Sequence, residues 1–202
     1  MDCKGSAFAG VQGQSPWFEG NTMNEQANRI LRPSEEGDVE AIAAIYARHV
    51  LTGTASFETE APDVAEMRRR RAELVGRGYP YLVAEDGGGV VGYAYAGPYR
   101  TRPAYRETLE DSVYLRPDAI GRGLGRRLLE ALVGEAEVLG FRQMVAVVGD
   151  SGNVASIRLH ERVGFRLVGV LRSVGYKHGR WLDTVLLQRA LGAGYALPPA
   201  ER

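Results

Sequence analysis

The run Gly121-Arg122-Gly123-Leu124-Gly125 stands between a stretch that reads as a β-strand and one that reads as a helix. Glycines at such a junction let backbone N–H groups face outward and let a ligand approach the main chain closely. The start of a helix adds partial positive charge, which suits a phosphate or pyrophosphate. Arg122, Arg126 and Arg127 put full positive charge beside it. Alternate glycines at a helix start cost helix stability, so a ligand accounts for them better than a bare turn does. No Lys follows them as a P-loop requires. The third glycine comes one residue early for the dinucleotide fingerprint Gly-x-Gly-x-x-Gly. That fingerprint also opens its domain, whereas several strands and helices are expected before residue 121.

These residues must be positioned by the elements around them. Ile30 and Leu31 read as a short first strand stopped at Pro33, and Ser34 as the cap of a helix through Val39, Ile42, Ala43, Ile45 and Tyr46. Pro62-Asp63 opens a second helix to about Val75, whose Arg68–Arg71 run is expected to be a solvated face. Residues 81–85 and 90–96 flank a Gly-rich turn and predict a hairpin. Residues 108–115 predict a strand ending just before the glycine run. The helix after that run keeps Leu124, Leu128, Leu129, Leu132 and Val133 on one face and stops at Gly140. Residues 144–148 are nearly all apolar, as in a buried central strand. Asn153 can cap a further helix closed by Gly164, and residues 165–174 and 181–188 predict two last strands. The expected fold is one α/β domain, residues 29–191, with a mixed sheet. Residues 1–28 read as a disordered leader or tag, with Met23 a candidate start, and residues 192–202 as a flexible tail.

The 202 residues are 45% hydrophobic and 25% charged, with a formal net charge of zero. That balance argues against a nucleic-acid or anionic-membrane surface, both of which need clustered cation. No apolar run reaches the ~18 residues of a membrane span. A single cysteine, Cys3, excludes an internal disulfide framework and a cysteine-based zinc site. Three histidines far apart in sequence make a metal enzyme an unlikely reading, so no metal is expected. A cytoplasmic protein is the reading that remains.

The glycine run resembles the cofactor motif of the GNAT acetyltransferase superfamily, Gln/Arg-x-x-Gly-x-Gly/Ala, with Gly123 and Gly125 at its small positions. Asn153, Ser156, Gly164 and Phe165 resemble the superfamily's later Asn-x-x-Ala/Ser…Gly-Phe helix. Ile120 departs from the pattern, standing where Gln or Arg is usual. Further stretches are similar to one branch, the phosphinothricin and methionine sulfoximine N-acetyltransferases: TASFETE at 54–60, YAGP at 95–98, LEDSVYL at 109–115, SIRLHE at 156–161 and GYKHGRWLD at 175–183. The resemblance implies a GNAT-type, mostly antiparallel twisted sheet of about seven strands flanked by about four helices. It also implies acetyl-CoA as donor, the α-amino group of a small amino-acid analogue as acceptor, and a homodimer.

Roles for named residues follow from that resemblance. Acetyl transfer needs a neutral amine, so a base must take a proton from the substrate ammonium; Glu110 occupies the family's catalytic glutamate position. His160 stands where many GNAT enzymes place a Tyr, and is expected to assist the leaving thiol or relay protons. The backbone of Val113, Tyr114 and Leu115 is expected to hold the pantetheine arm as an added strand would. Gly121, Arg122, Gly123, Leu124, Gly125 and Arg126 would hold the pyrophosphate, with Asn153 and Ser156 reaching the cofactor from the next helix. Phe57, Arg100, Thr101, Arg102, Glu110, Asp111 and Ser112 are the expected acceptor pocket, the arginines matching a carboxylate or phosphinate by paired donors. His178 carries no assigned chemistry, and His49 is expected to be plain surface. A GNAT enzyme for a polyamine, an antibiotic or a protein N-terminus, a non-catalytic acyl-CoA-binding module, and a nucleotide binder are the other readings.

Overall fold

The computed structural model describes residues 29–198; the expected leader, residues 1–28, lies outside them. Seven strands form one sheet in the order β1-β2-β3-β4-β5-β7-β6. They are β1 (Arg29–Pro33), β2 (Tyr81–Asp86), β3 (Gly89–Pro98), β4 (Thr108–Leu115), β5 (Gln143–Gly149), β6 (Arg166–Lys177) and β7 (Arg180–Ala190). Four α-helices flank it: α1 (Val39–Thr52), α2 (Val64–Gly76), α3 (Leu124–Val138) and α4 (Val154–Arg162). The neighbours β4 and β5 run parallel, and the other strand pairs are antiparallel. This is the mixed, mostly antiparallel α/β architecture expected.

The elements form where their residues dictate. Gly87 and Gly88 take positive φ, 65° and 85°, and so close the β2–β3 hairpin with a turn that other residues resist. Asp63 caps α2 by accepting from the Glu66 N–H at 2.8 Å. Asn153 caps α4, accepting from the Ser156 N–H at 3.3 Å, as expected. Alternation along the strands sorts two cores onto opposite faces of the sheet. One packs α3 against Leu82, Ala94, Leu109, Met144 and Leu187, and the other packs α1 and α2 against Tyr81, Val83, Tyr93 and Tyr114.

Several expectations are corrected. Ser34 caps no helix: a 3-10 turn, Glu36–Asp38, precedes α1, with Asp38 accepting from the Glu35 N–H. Ser34 instead receives Arg71, which is buried, whereas Arg68, Arg69 and Arg70 form the ion-paired exposed face. Strands β6 and β7 pair on to Lys177↔Arg180, so only His178-Gly179 turns the chain. His49 is half-buried, and its Nε2–H donates to the Leu115 carbonyl at 2.8 Å, tying α1 to the end of β4. Residues 192–198 are not featureless: Gly194 and Ala196 close backbone turns, and Arg142 reaches the Pro198 carbonyl.

Candidate active site

The site forms where β4 and β5 part. Their parallel pairing runs from Thr108↔Gln143 to Asp111↔Ala146 and stops. Beyond it, residues 112–115 pair only with β3, and residues 147–149 only with β7. The Arg116 N–H bonds to Val91 O, and the Tyr99 N–H to Thr108 O. Antiparallel alternation then turns the backbone groups of Ser112 and Tyr114 toward β3, and those of Val113 and Leu115 toward the cleft. Of the three residues expected to hold a pantetheine arm, Tyr114 is therefore the exception. Its main chain is spent on β3, and its ring is buried against Tyr46 and Tyr93.

At the far end of the cleft a 3-10 turn, Pro117–Ala119, leads into the glycine run. Gly121 and Gly123 both have φ of 79°, the left-handed region, and Gly123 is the N-cap of α3. A Cβ on either would meet nothing within 4 Å, so the turn opens to solvent on its ligand side. The first N–H groups of α3 have no intrahelical acceptor, which leaves them for an anion. A Cβ on Gly125 would stand 3.4 Å from Leu115 and 3.5 Å from Leu159, ordinary contact distances. Leu124 is wholly buried and contributes its backbone alone. Arg122 bonds to Asp86 and Arg126 to Glu130, both from exposed positions at this end. Asn153 and Ser156 line the cleft from α4 together with His160.

Adjacent residues of β4 point to opposite faces. Glu110, with Ser112 and Tyr114, faces α1 and α2; Asp111, with Leu109 and Val113, faces α3 and α4. Burial pushes the Glu110 carboxyl pKa up, the Arg100 charge pulls it back, and Asp111 pushes it up further, for a net rise. A raised carboxyl pKa is what a base working near neutrality needs.

Asp111, expected beside Glu110 at the acceptor pocket, lies on the opposite face of the strand. Its buried Oδ2 accepts from His160 Nε2 at 2.9 Å, and the His160 Nδ1–H donates to the Ser156 carbonyl at 2.7 Å. Burial alone would lower the His160 pKa, but the hydrogen bond and charge of Asp111 and the Ser156 carbonyl leave it raised. An acceptor at each nitrogen favours the doubly protonated ring, in the same direction as the raised pKa. Both ring nitrogens are therefore engaged within the protein, by Asp111 and by the Ser156 carbonyl.

The acceptor side is closed by the segment 53–58. Gly149 and Gly175 make room for the Phe57 ring, which lies 3.0 Å from where a Cβ on Gly149 would stand and closer still to where one on Gly175 would be. Sequence reasoning missed what holds this segment. Lys177, though buried, donates Nζ–H to the Ser56 carbonyl at 2.7 Å, His178 Nε2 donates to Gly53 O at 3.2 Å, and Thr54 donates to Asp150 at 3.1 Å. The Tyr46 hydroxyl lies 2.9 Å from Ser56 Oγ and donates to Glu58 at 2.9 Å, and Arg70 donates to Glu58 at 2.7 Å. Arg100 stacks on Tyr99 with its charge near Glu110, while Thr101 and Arg102 are exposed on the same loop. Among the described residues no group of His, Cys, Asp and Glu could hold a metal.

Known proteins share this arrangement. Residues 31–186 match the family model of the acetyltransferase (GNAT) domain. A phosphinothricin N-acetyltransferase of Alcaligenes faecalis is 58% identical over 164 residues, 81% of this chain and 83% of that protein. An L-methionine sulfoximine/L-methionine sulfone acetyltransferase of Pseudomonas paraeruginosa is 41% identical over 83% of this chain and 98% of that protein. The crystal structure of a GNAT phosphinothricin acetyltransferase from Sinorhizobium meliloti in complex with acetyl-CoA superposes with a TM-score of 0.84 at 48% identity, covering 86% of this chain and 94% of that one. The open β4 edge, the glycine turn and the start of α3 fit the same donor. The chain belongs to the GNAT family, and it is an acetyl-CoA-dependent N-acetyltransferase.

Proposed function

We propose that the enzyme acetylates the α-amino group of a small amino-acid analogue of the phosphinothricin, methionine sulfoximine or methionine sulfone type, by direct transfer with Glu110 as base. The carrying observation is that, where β4 parts from β5, it presents the Glu110 carboxyl to one face and Asp111, bonded to the buried His160 of α4, to the other. Acetyl-CoA lies along the free edge of β4, its pantetheine amides meeting the Val113 backbone and the Leu115 N–H and its pyrophosphate the α3 N-terminus. Glu110 takes the proton of the substrate ammonium. The amine lone pair attacks the thioester carbonyl carbon, the C–N bond forms and the C–S bond breaks, and the second proton shed by nitrogen passes through water to the departing thiolate, leaving the neutral amide and coenzyme A thiol. Sulfur leaves with the electron pair, and the His160 charge stabilises the thiolate as it develops. Phe57 walls the acceptor, and Arg100 and Arg102 supply cation for its carboxylate.

Names borne by the relatives support the acceptor class. The exposed apolar side chains of Leu167, Val168, Leu171, Val174, Tyr176 and Trp181 on β6 and β7 support a homodimer built on that edge. We place the enzyme in the cytoplasm, in keeping with the reading of its sequence; among the described residues no helix is long and apolar enough to cross a membrane.

The test is acetyl-CoA-dependent thiol release against amino-acid analogues, polyamines, aminoglycosides and peptide N-termini. Turnover confined to the amino-acid analogues supports the proposal. Turnover only with another amine, or acetyl-CoA binding without release for any acceptor, refutes it.

A further inference from the structure

One carbonyl on the open edge of β4 is already taken. Residues 112–115 have no partner on the β5 side, and alternation turns the N–H and C=O groups of Val113 and Leu115 toward the cleft. The Leu115 carbonyl nevertheless accepts from His49 Nε2–H at 2.8 Å, although His49 stands on α1, which packs on the face away from α3 and α4. The half-buried ring rests on Tyr114, with centroids 5.2 Å apart. It is braced from behind as well. The chain turns off α1 with the Gly53 N–H on the His49 carbonyl at 3.1 Å, and His178 donates to the Gly53 carbonyl in turn. Neither the proton transfer nor the acyl transfer uses this side chain.

The place of that carbonyl gives the bond its meaning. Leu115 is the last residue of β4, and its Cδ1 lies 3.4 Å from where a Cβ on Gly125, in the first turn of α3, would stand. The N–H groups that open α3 therefore adjoin the end of this strand edge. A carbonyl oxygen left open there would set a negative partial charge against a diphosphate. Other oxygens near the glycine turn are covered too: Asp118 accepts from Arg116 at 2.6 Å, and Asp86 from Arg122 at 3.1 Å. His49 does for a backbone oxygen what these arginines do for carboxylates.

We propose that His49 is a positioning residue for the donor. By occupying the Leu115 carbonyl it lets the strand edge end on the Leu115 N–H, and so favours a thioester that carries a diphosphate over a bare pantetheine thioester. The inference rests on the donor lying along β4 with its diphosphate at α3. Its effect falls on donor affinity and leaves the chemical step alone.

The experiment measures the affinity of the wild type, His49→Phe and His49→Gln for coenzyme A by calorimetry and for pantetheine, which lacks the diphosphate, by NMR titration. H49F keeps a ring on Tyr114 and deletes the N–H. It is expected to weaken coenzyme A roughly three- to tenfold and to leave pantetheine within about twofold. H49Q, whose side-chain amide can donate to the same carbonyl, is expected to restore most of the coenzyme A affinity. With methionine sulfone as acceptor, H49F should raise the KM for acetyl-CoA and leave kcat and the acceptor KM in place, a split that a merely structural tie would not give. Equal weakening of coenzyme A and pantetheine, weakening of neither, or an H49Q as weak as H49F would overturn the proposal. Gly123→Asp tests the donor's placement separately. Aspartate tolerates left-handed backbone, a Cβ there meets nothing within 4 Å, and the carboxylate would oppose the diphosphate, so coenzyme A should weaken about tenfold or more. Full affinity in G123D would sink that placement and this proposal with it. Lost affinity in G123D with no selective loss in H49F would sink the role of His49 alone.

Discussion

Replacing Lys177 by Met (K177M) removes the ammonium that ties the β6–β7 hairpin to the segment carrying Phe57. Lys177 is 5% exposed, and its Nζ–H meets the Ser56 carbonyl at 2.7 Å across a sequence separation of 121 residues. Methionine preserves most of the packing and leaves that carbonyl without its donor. A buried hydrogen bond from a charged donor is worth about 1.5–3 kcal/mol. For a chain of this size each kcal/mol moves Tm by about 2–4 °C, so the expected loss is roughly 3–12 °C. Thr54–Asp150 and His178–Gly53 still hold the segment, so the fold survives. Phe57, however, loses its register in the slot made by Gly149 and Gly175. Thermal scanning and steady-state kinetics read both effects: the KM for the acceptor rises several-fold while the KM for acetyl-CoA, bound by other elements, stays put. Unchanged Tm and acceptor KM would show that the hairpin does not position the pocket wall, and the reasoning would fail.

Two further expectations concern protons. Arg100 lowers the Glu110 pKa, and the base must be ionised to work, so Arg100→Gln should move the acid limb of the kcat/KM profile to higher pH; a profile that stays put or moves to lower pH contradicts the electrostatics. For His160 the folded pKa is raised, so its contribution to stability is complete below the unfolded value of about 6.5 and is lost as pH rises through the folded value. In Asp111→Asn the cause of the rise is gone and burial dominates, so NMR should show the imidazole neutral where the wild-type ring is still doubly protonated. Coincident titration midpoints would refute the paired imidazolium.

The parts of this fold that were legible in the sequence are those written by local pattern. Asn153, Asp63 and the glycines at 87–88 and 121–125 announce caps and turns through backbone chemistry that acts over a few residues. The α3 stripe of leucines and the apolar run of β5 likewise announce their burial. What the sequence hid depends on register. Glu110 and Asp111 read as neighbours in one pocket, yet strand alternation sends them to opposite faces, one toward α1 and α2 and one to His160. Arg71 read as part of a solvated face, and Lys177 gave no sign of its role, because their acceptors, Ser34 and the Ser56 carbonyl, lie far along the chain. His49 hid for the same reason.

The account depends above all on Glu110 taking the amine proton at the mouth of the cleft. The direct measurement is single-turnover thiol release by Glu110→Gln with acetyl-CoA prebound and methionine sulfone in excess. The predicted result is a rate about 10²–10⁴-fold below wild type with acetyl-CoA affinity unchanged; a rate equal to wild type at neutral pH would contradict it.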